Sequence, residues 1–224
     1  MKKPNFFIIG APKCGTTSLV DWLGQHSRVF MSAFKEPHYF NTDDSFRFVH
    51  DEKYYLDLFR DAGPEHLAVG EGSTWYLFSK TAVPEIERFT SGAARYIVCL
   101  RNPVEMVHSL HGQIFFSGNE NERDFCKAWN LQELRLGGEK LPPLTNAASH
   151  LQYARACALG MQVKRLLEVV PRERVCFIFL EDLSNNPEGT VSRVFDFLDL
   201  PQPETPLNLV TANQAHKPRS ILLN

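Results

Sequence analysis

The sequence predicts an α/β fold, in which helices on both faces cover a doubly wound parallel sheet. Two observations predict it. Four short apolar runs have the length of buried strands, and segments of helical character separate them. These runs are residues 6–9, 67–70, 95–100 and 175–180. Ligands of such sheets bind beyond the carboxyl ends of the strands, so the residues after each run are the first candidates for a functional site.

The helix between the third and fourth runs has the best-marked start. Asn102 can cap it, Pro103 suits the first helical position, and Glu105 stands where the acid of a capping box belongs. An earlier helix is predicted to open at Thr16 or Thr17 and to end near residue 25, and another covers about residues 52–60.

The second half of the chain contains a long predicted helix and an irregular insertion. The Ala-rich residues 147–170 predict one helix that ends at Pro171, and a last helix is expected from Pro187 towards Leu198. Residues 117–146 contain a Gly-Gly and a Pro-Pro pair, which predict an insertion without regular structure.

Composition bounds the class of protein. The chain has 224 residues, 43% of them apolar and 22% charged, which is typical of one soluble globular domain. Its 24 basic and 26 acidic residues give a net charge of -2, so we expect no nucleic-acid or membrane partner. The first apolar run is too short to span a membrane. Five scattered cysteines without metal-ligand spacing favour a reducing, cytoplasmic location and no metal site.

The first apolar run leads into a loop with the chemistry of an anion-binding site. Residues 10–19 are Gly-Ala-Pro-Lys-Cys-Gly-Thr-Thr-Ser-Leu. Glycines let backbone N–H groups converge on an oxyanion, and the N-terminus of the following helix adds partial positive charge. Lys13 and the hydroxyls of Thr16, Thr17 and Ser18 are further donors. The segment therefore predicts a phosphate-binding loop after the first strand.

The loop departs from those of ATP-hydrolysing enzymes and of cysteine phosphatases. Nucleotide kinases carry lysine directly after the second glycine, where this chain has Thr16, and no acid ends a later strand to hold magnesium. The phosphatase pattern would need arginine at Val20. Cys14 is therefore predicted to fill space in the loop rather than to act as a nucleophile.

Residues 12–19 resemble the 5'-phosphosulfate loop of sulfotransferases that use 3'-phosphoadenosine 5'-phosphosulfate (PAPS). That family has a second element, an arginine at a strand end and a serine eight residues later, which bind the 3'-phosphate. Arg101 and Ser109 have this separation, and a guanidinium suits a phosphate dianion. The resemblance implies that PAPS is bound by Lys13, Cys14, Gly15, Thr16, Thr17, Ser18, Arg101 and Ser109.

Residues 35–41 resemble the segment that carries the catalytic carboxylate in the heparan-sulfate-type branch. The match implies that Glu36 is the general base and that His38, with Lys35, lies at the acceptor site. An attacking hydroxyl or amine must lose a proton, which a carboxylate or an imidazole within hydrogen-bond reach can take. His38 is the alternative base, because histidine has that role in the cytosolic small-molecule branch.

Two further segments resemble family elements. Residues 70–76 resemble an acceptor-side loop, although relatives often carry lysine where Gly72 stands, and Trp75 and Tyr76 could equally serve packing. Residues 213–220 resemble the basic loop that closes over the 3'-phosphate, which implies cofactor contacts for Lys217 and Arg219. His108 and His111 are expected to pack, since no third metal ligand accompanies them.

The resemblance spans nearly the whole chain and implies one sulfotransferase domain over residues 1–224, without a C-terminal helix or lid found in longer relatives. It implies transfer of a sulfuryl group from PAPS to a glycan or small-molecule acceptor, with Lys13 stabilising the leaving phosphate and Glu36 as base. Two alternatives are a nucleotide-dependent kinase with an atypical loop and a nucleotide-binding module without catalysis.

Overall fold

The computed structural model of the chain describes residues 2–210. These residues contain one five-stranded sheet. All neighbouring strands are parallel, in the order β2-β3-β1-β4-β5. The strands are β1 (Phe6–Ile8), β2 (Val29–Met31), β3 (Ala68–Gly72), β4 (Arg95–Leu100) and β5 (Val175–Phe179). The predicted doubly wound α/β class is confirmed. The fifth strand, β2, was not predicted, because three residues at the sheet edge are too short to give a pattern.

Helices pack in two groups around the sheet. α1 (Thr16–Leu23) contacts α10 (Pro187–Phe197), and α3 (Ala82–Thr90) contacts α8 (Leu159–Val169). Connections between parallel strands are right-handed, and the chain runs from β1 to β2 in one direction along the sheet but from β3 to β4 and from β4 to β5 in the other. The two groups of helices therefore lie on opposite faces of the sheet. The other helices are α2 (Glu52–Asp57), α4 (Pro103–Phe116), α5 (Phe125–Asn130), α6 (Gln132–Leu136), α7 (Tyr153–Ala156) and α9 (Leu180–Asn185).

The predicted start of α4 is confirmed in part. The Asn102 side chain accepts a hydrogen bond from the Val104 N–H, and Pro103 is the first helical residue. Glu105, however, does not complete a capping box, since its carboxylate accepts hydrogen bonds from the Arg101 guanidinium. The ion pair between Arg101 and Glu105 has therefore replaced the capping-box hydrogen bond expected from Glu105, while Asn102 caps the helix as predicted.

The single long helix predicted over residues 147–170 is wrong. This stretch forms a 3₁₀ turn and two helices, α7 and α8, separated by non-helical backbone at Gln152 and Ala158. Side-chain amides replace the helical bonds at these breaks. Gln132 Oε1 accepts from the Ala154 N–H, and Gln162 Nε2 donates to the carbonyls of Arg155 and Ala156. Tertiary hydrogen bonds thus override the helix propensity of the alanines.

The insertion at residues 117–146 is more ordered than predicted. It contains α5 and α6, and a fully buried ion pair joins Glu120 to Arg135 through two bonds of 2.6 Å. Tyr153 Oη donates to the same carboxylate at 2.8 Å. Removing one partner of such a pair typically costs about 3–5 kcal/mol, so the pair stabilises the insertion internally. The Tyr153 hydrogen bond connects the insertion to α7.

The central strand β1 positions the functional end of the sheet. Its three residues are fully buried, and it pairs with β3 on one side and β4 on the other. The chain leaves β1 towards β2 and β3, then crosses to β4 and β5 on the other side. A crevice therefore opens beyond the carboxyl ends of β1 and β4, where ligands of such sheets bind. Among the described residues, no helix has the length and apolar character of a membrane span.

Candidate active site

A cleft of about 660 Å³ lies at the carboxyl ends of β1, β3 and β4. The loop after β1 forms one wall, and the segment around Glu36 and the start of the insertion form others. Its lining includes Lys13, Gly15, Thr16, Thr17, Ser18, Glu36, Arg101 and Ser109. The structure therefore brings most of the predicted site residues to one cavity.

Two glycines shape the loop after β1. Gly10 has φ +130°, and a Cβ there would lie 2.4 Å from the Thr74 carbonyl oxygen. Gly15 has φ +84°, and its Cβ would lie 2.7 Å from Leu183 Cδ1. Both positions therefore need glycine for the backbone angle and for space.

The first turn of α1 follows Gly15 and lines the cleft with Thr16, Thr17 and Ser18. Gly15 is the N-cap, and no side-chain hydrogen bond caps this helix. An uncapped helix N-terminus presents backbone N–H donors and partial positive charge, which suits an anionic oxygen.

Lys13 stands in the loop with φ 63°, in the left-handed region that lysine rarely adopts. Its Nζ donates to Gln113 Oε1 at 3.2 Å. Burial, reinforced by the charge of Arg101 nearby, lowers the pKa of the ammonium. The cleft thus holds two cations close together, an arrangement that favours a polyanionic ligand.

Cys14 is fully buried and turned away from the cleft. Its Sγ lies 3.4 Å from the Pro12 carbonyl and 4.0 Å from Met106 Sδ. Burial raises the pKa of the thiol to about 12, so the sulfur is not a nucleophile at neutral pH. The predicted space-filling role agrees with this placement, and the side chain of Cys14 is outside the cleft lining.

Arg101 and Ser109 reach the cleft from the end of β4 and from α4. The Arg101 guanidinium donates to Glu105 Oε2 at 3.1 and 3.3 Å, and its Nη1 lies 3.5 Å from the Lys13 carbonyl. Glu105 is exposed, and such an exposed pair contributes about 0–1 kcal/mol. A phosphate could therefore displace Glu105 from Arg101 at little cost.

Glu36 lies across the cleft from the loop and accepts two hydrogen bonds on one oxygen. His38 Nε2 and Thr74 Oγ1 each donate to Glu36 Oε2 at 3.2 Å. Burial alone would raise the pKa of this carboxyl, but the hydrogen bond and charge of His38, with Lys35 and Thr74, lower it below its usual value. Glu36 is therefore ionised at neutral pH, as a base must be.

His38 is hydrogen-bonded to Glu36 but is itself outside the cleft lining. The ring is fully buried, and its Nδ1 has no hydrogen-bond partner among the described residues. Its one hydrogen bond goes to the Glu36 carboxylate. The predicted position of His38 on the acceptor wall is therefore not observed, whereas Lys35 does line the cleft and its Nζ donates to Thr17 Oγ1 at 2.8 Å.

Glu71 is a residue of this region that the sequence analysis did not single out. Its carboxyl is buried behind the cleft and accepts from Tyr55 Oη at 3.1 Å, Ser73 Oγ at 2.6 Å and Tyr76 Oη at 2.8 Å. Burial raises its pKa to about 7 although these three hydrogen bonds lower it. The one available signal was an acid inside a β-strand, which is unusual when both faces of a sheet are covered.

Another part of the cleft lining combines aromatic and amide side chains. Trp75 stacks on His150 with ring centroids 3.5 Å apart, and His150 Nε2 bonds Asp44 Oδ2 at 3.1 Å. Asn119 and Asn146 of the insertion line the same part. Trp75 thus both packs and lines the cleft, and Tyr76 is fully buried. Gly72 is tightly enclosed, since a Cβ there would lie 2.8 Å from Val20 Cγ2, so a larger residue in this chain would require Val20 to move.

The remaining predicted residues lie elsewhere. His111 Nε2 donates to the Glu122 carbonyl at 2.8 Å, and the rings of His108 and His111 pack on Phe125, as expected for packing histidines. Within residues 2–210, no group of three or more His, Cys, Asp or Glu could hold a metal ion. Lys217 and Arg219 lie outside the described residues.

Comparison with known proteins identifies relatives along nearly the whole chain. Residues 3–220 match the family model of the sulfotransferase domain. Carbohydrate sulfotransferase 15 of Mus musculus is 29% identical over 276 aligned positions, which include 96% of this chain and 47% of that protein. The membrane-associated sulfotransferase kil1 of Dictyostelium discoideum is 30% identical over 156 residues, 68% of this chain and 28% of that protein. The chain thus spans half or less of the length of these curated relatives.

Solved structures show the same fold. A sulfotransferase from Alicyclobacillus acidocaldarius superposes with a TM-score of 0.81 and 28% identity, covering 97% of this chain and 88% of that one. The mouse sulfotransferase SULT7A1 complexed with PAP has a TM-score of 0.56 and 14% identity, covering 90% of this chain and 61% of that one, a likeness of fold alone. With the family match over residues 3–220 and the anion-binding loop after β1, these likenesses establish that the chain belongs to the sulfotransferase family.

Proposed function

We propose that this sulfotransferase transfers a sulfuryl group from PAPS to a hydroxyl or amine of a glycan or small-molecule acceptor. The observation that carries the proposal is that the anion loop, the Arg101–Ser109 pair and Glu36 line one cleft. Carbohydrate sulfotransferase 15 supports a glycan acceptor by its name, and SULT7A1, which shares the fold, was solved with PAP. The cytoplasmic location stays a prediction.

The residues divide between the two substrates. The backbone N–H groups and hydroxyls of residues 15–18 would hold the 5'-phosphosulfate, while Arg101 and Ser109 would bind the 3'-phosphate. Glu36 faces this donor site from the other side of the cleft. The acceptor would therefore lie between Glu36 and the sulfur atom, in line with the bond that breaks.

The chemistry follows from this placement. The acceptor oxygen or nitrogen forms a bond to sulfur, the bond from sulfur to the bridging phosphate oxygen breaks, and 3'-phosphoadenosine 5'-phosphate (PAP) leaves. Glu36 takes the acceptor proton as the nucleophile attacks. Lys13 and the loop N–H groups stabilise the negative charge that develops on the bridging oxygen.

The donor assignment is tested by thermal unfolding with nucleotides. A ligand that binds only the folded chain stabilises it by mass action, about 2.7 kcal/mol at one hundred times Kd. We expect PAP to raise the melting temperature more than AMP or ATP with magnesium at equal concentration, and Arg101→Ala to remove the difference between PAP and AMP. A larger shift with ATP and magnesium would instead favour the kinase alternative.

The base assignment is tested with PAPS labelled in the sulfuryl group and a panel of acceptors. Glu36→Gln keeps the shape and removes the proton acceptor, so turnover should fall about 10² to 10⁴-fold at saturating PAPS, while the Kd for PAP stays near the wild-type value. His38→Asn should cost less, because the imidazole orients the carboxylate without reaching the cleft. An inactive His38→Asn beside an active Glu36→Gln would reverse the two roles. Binding of PAP with no transfer to any acceptor by the wild-type chain would favour the module without catalysis.

A further inference from the structure

The buried carboxyl of Glu71 is the centre of a hydrogen-bond network that ends at the backbone of the base segment, residues 35–41. Three hydroxyls donate to it, those of Tyr55, Ser73 and Tyr76. Glu71 is 1% exposed and belongs to β3, so its position is set by the central part of the sheet. This site is separate from the cleft, since Glu71 is not among the residues that line it.

Two of these hydroxyls also accept hydrogen bonds from backbone N–H groups of the base segment. Ser73 Oγ accepts from the His38 N–H at 3.1 Å. Tyr76 Oη accepts from the N–H groups of Tyr39 at 2.9 Å and Phe40 at 3.3 Å. Because each hydroxyl gives its one proton to Glu71, its lone pairs are turned towards these amides. The carboxylate thus determines the direction in which both hydroxyls accept.

The base segment needs such external support. Glu36 has φ 56° and His38 has φ 48°, both in the left-handed region, and neither is a glycine. Non-glycine residues in this conformation cost about 1–3 kcal/mol each and persist only where surrounding contacts fix them. The amides held by Ser73 and Tyr76 are at or directly after His38, whose ring in turn orients Glu36.

We propose that Glu71 is a positioning residue for sulfuryl transfer, which holds the base Glu36 in place through Ser73, Tyr76 and the backbone of residues 38–40. This inference rests on the proposed function, in which Glu36 takes the acceptor proton. Glu71 does not touch either substrate. It acts by keeping the strained backbone of the base segment in one conformation.

The test is Glu71→Gln, assayed at about pH 8, where the Glu71 carboxyl is mostly ionised, for turnover at saturating PAPS, for PAP affinity and for amide hydrogen exchange. The glutamine amide places an N–H donor where an oxygen accepted, so one hydroxyl must turn away from its present partner. We expect turnover to fall on the order of 10²-fold, as for other small misplacements of a catalytic group. We expect faster exchange of the amides of residues 38–40 and a Kd for PAP within about threefold of the wild type.

Two tyrosines allow a matched comparison that tests the positioning role of Glu71 even if Glu71→Gln does not fold. Tyr55 and Tyr76 are both fully buried and both donate to Glu71 Oε1, but of the two hydroxyls only that of Tyr76 accepts from the base segment among the bonds of residues 2–210. Tyr76→Phe should therefore lower turnover and speed exchange at residues 39 and 40, whereas Tyr55→Phe should do much less of both. Equal losses in the two variants would overturn the proposal.

Two further outcomes separate this inference from the proposed function. Wild-type turnover and exchange in a folded Glu71→Gln variant would overturn the positioning role while leaving sulfuryl transfer intact. If Glu36→Gln keeps full turnover in the same assay, the base assignment fails, and Glu71 then has no base to position. Increased amide exchange with unchanged turnover in Glu71→Gln would show a purely structural contact and would also overturn the proposal.

Discussion

The phosphate loop at residues 10–19 and the base segment at residues 35–41 face each other across the cleft, yet they are stabilised in different ways. In the loop, glycines stand at two of the strained positions, and the strand and helix at its ends are adjacent in sequence. In the base segment, Glu36 and His38 adopt left-handed backbone without glycine, and partners about 35 residues later fix them. One half of the site is built locally and the other by tertiary contacts.

This difference indicates which changes each half tolerates. A local loop fails when a residue within it no longer fits its own backbone. A segment held by remote hydroxyls fails when a buried partner changes, even though its own residues are intact. Variants in the loop should therefore affect donor binding and charge stabilisation, and variants behind the base segment should affect turnover with little effect on the donor.

Among variants of the loop, we expect Lys13→Ala to have the largest effect, a loss of turnover caused by removal of the lysine side chain. Its ammonium is placed where negative charge develops, and removing one such donor typically costs about 10²–10³-fold. The measurement is single-turnover transfer from PAPS beside the Kd for PAP, which should change far less. Lys127→Ala is the control, because Lys127 is an exposed lysine of α5 that does not line the cleft. Equal losses in the two variants would contradict the catalytic role of Lys13.

A smaller effect is expected from the loop glycine Gly15. Gly15→Ala should lower PAP affinity about tenfold or more, because the new methyl group meets Leu183 and forces the loop to shift. Gly138→Ala is a matched control. Gly138 has φ +85°, nearly the same as Gly15, but its Cβ would meet nothing within 4 Å. Isothermal titration of both variants should show an affinity loss at Gly15 alone. Because Gly138 does not line the cleft, an equal loss there would show that general destabilisation, rather than a shift of the loop, is responsible.

The last expected effect concerns stability rather than transfer, and it is a pH dependence that arises from Glu71. The folded chain holds its proton up to a pKa of about 7, above the ordinary value of 4.5, so the unfolded chain releases this proton first. The contribution of Glu71 to the free energy of unfolding therefore falls as pH rises from about 4.5 to 7, by up to about 3 kcal/mol.

Comparing melting temperatures of the wild type and Glu71→Gln between pH 4.5 and 8 tests this dependence. The wild type should lose stability relative to the variant as pH rises. The groups that face this carboxyl are the hydroxyls of Tyr55, Ser73 and Tyr76, and the charge of Glu36 raises its pKa further. A difference between the two proteins that is independent of pH would show that Glu71 has an ordinary pKa.

The sequence predicted the locally built half of the site better than the other half. Residues 10–19, Arg101 and Ser109 form patterns of spacing, and the structure places Lys13, residues 15–18, Arg101 and Ser109 at one cleft. Glu36 also lies there, but its support by Thr74 and Glu71 depends on strand pairing between β2 and β3, which spacing does not reveal. The same limit explains the failed prediction of one helix over residues 147–170, where side-chain amides of Gln132 and Gln162 decide the breaks.

The ion pair between Glu120 and Arg135 has a consequence for how this enzyme could change its substrate during evolution. The pair stabilises an insertion that the Tyr153 hydrogen bond anchors to α7, and Asn119 and Asn146 of this insertion line the end of the cleft proposed for the acceptor. The proposed donor half of the cleft belongs to the sheet and α1. Exposed positions of the insertion, such as Leu134 and Leu136, can vary without disturbing this anchor. Changes in the insertion can therefore alter the wall proposed for the acceptor while the proposed donor site on the sheet and α1 stays the same.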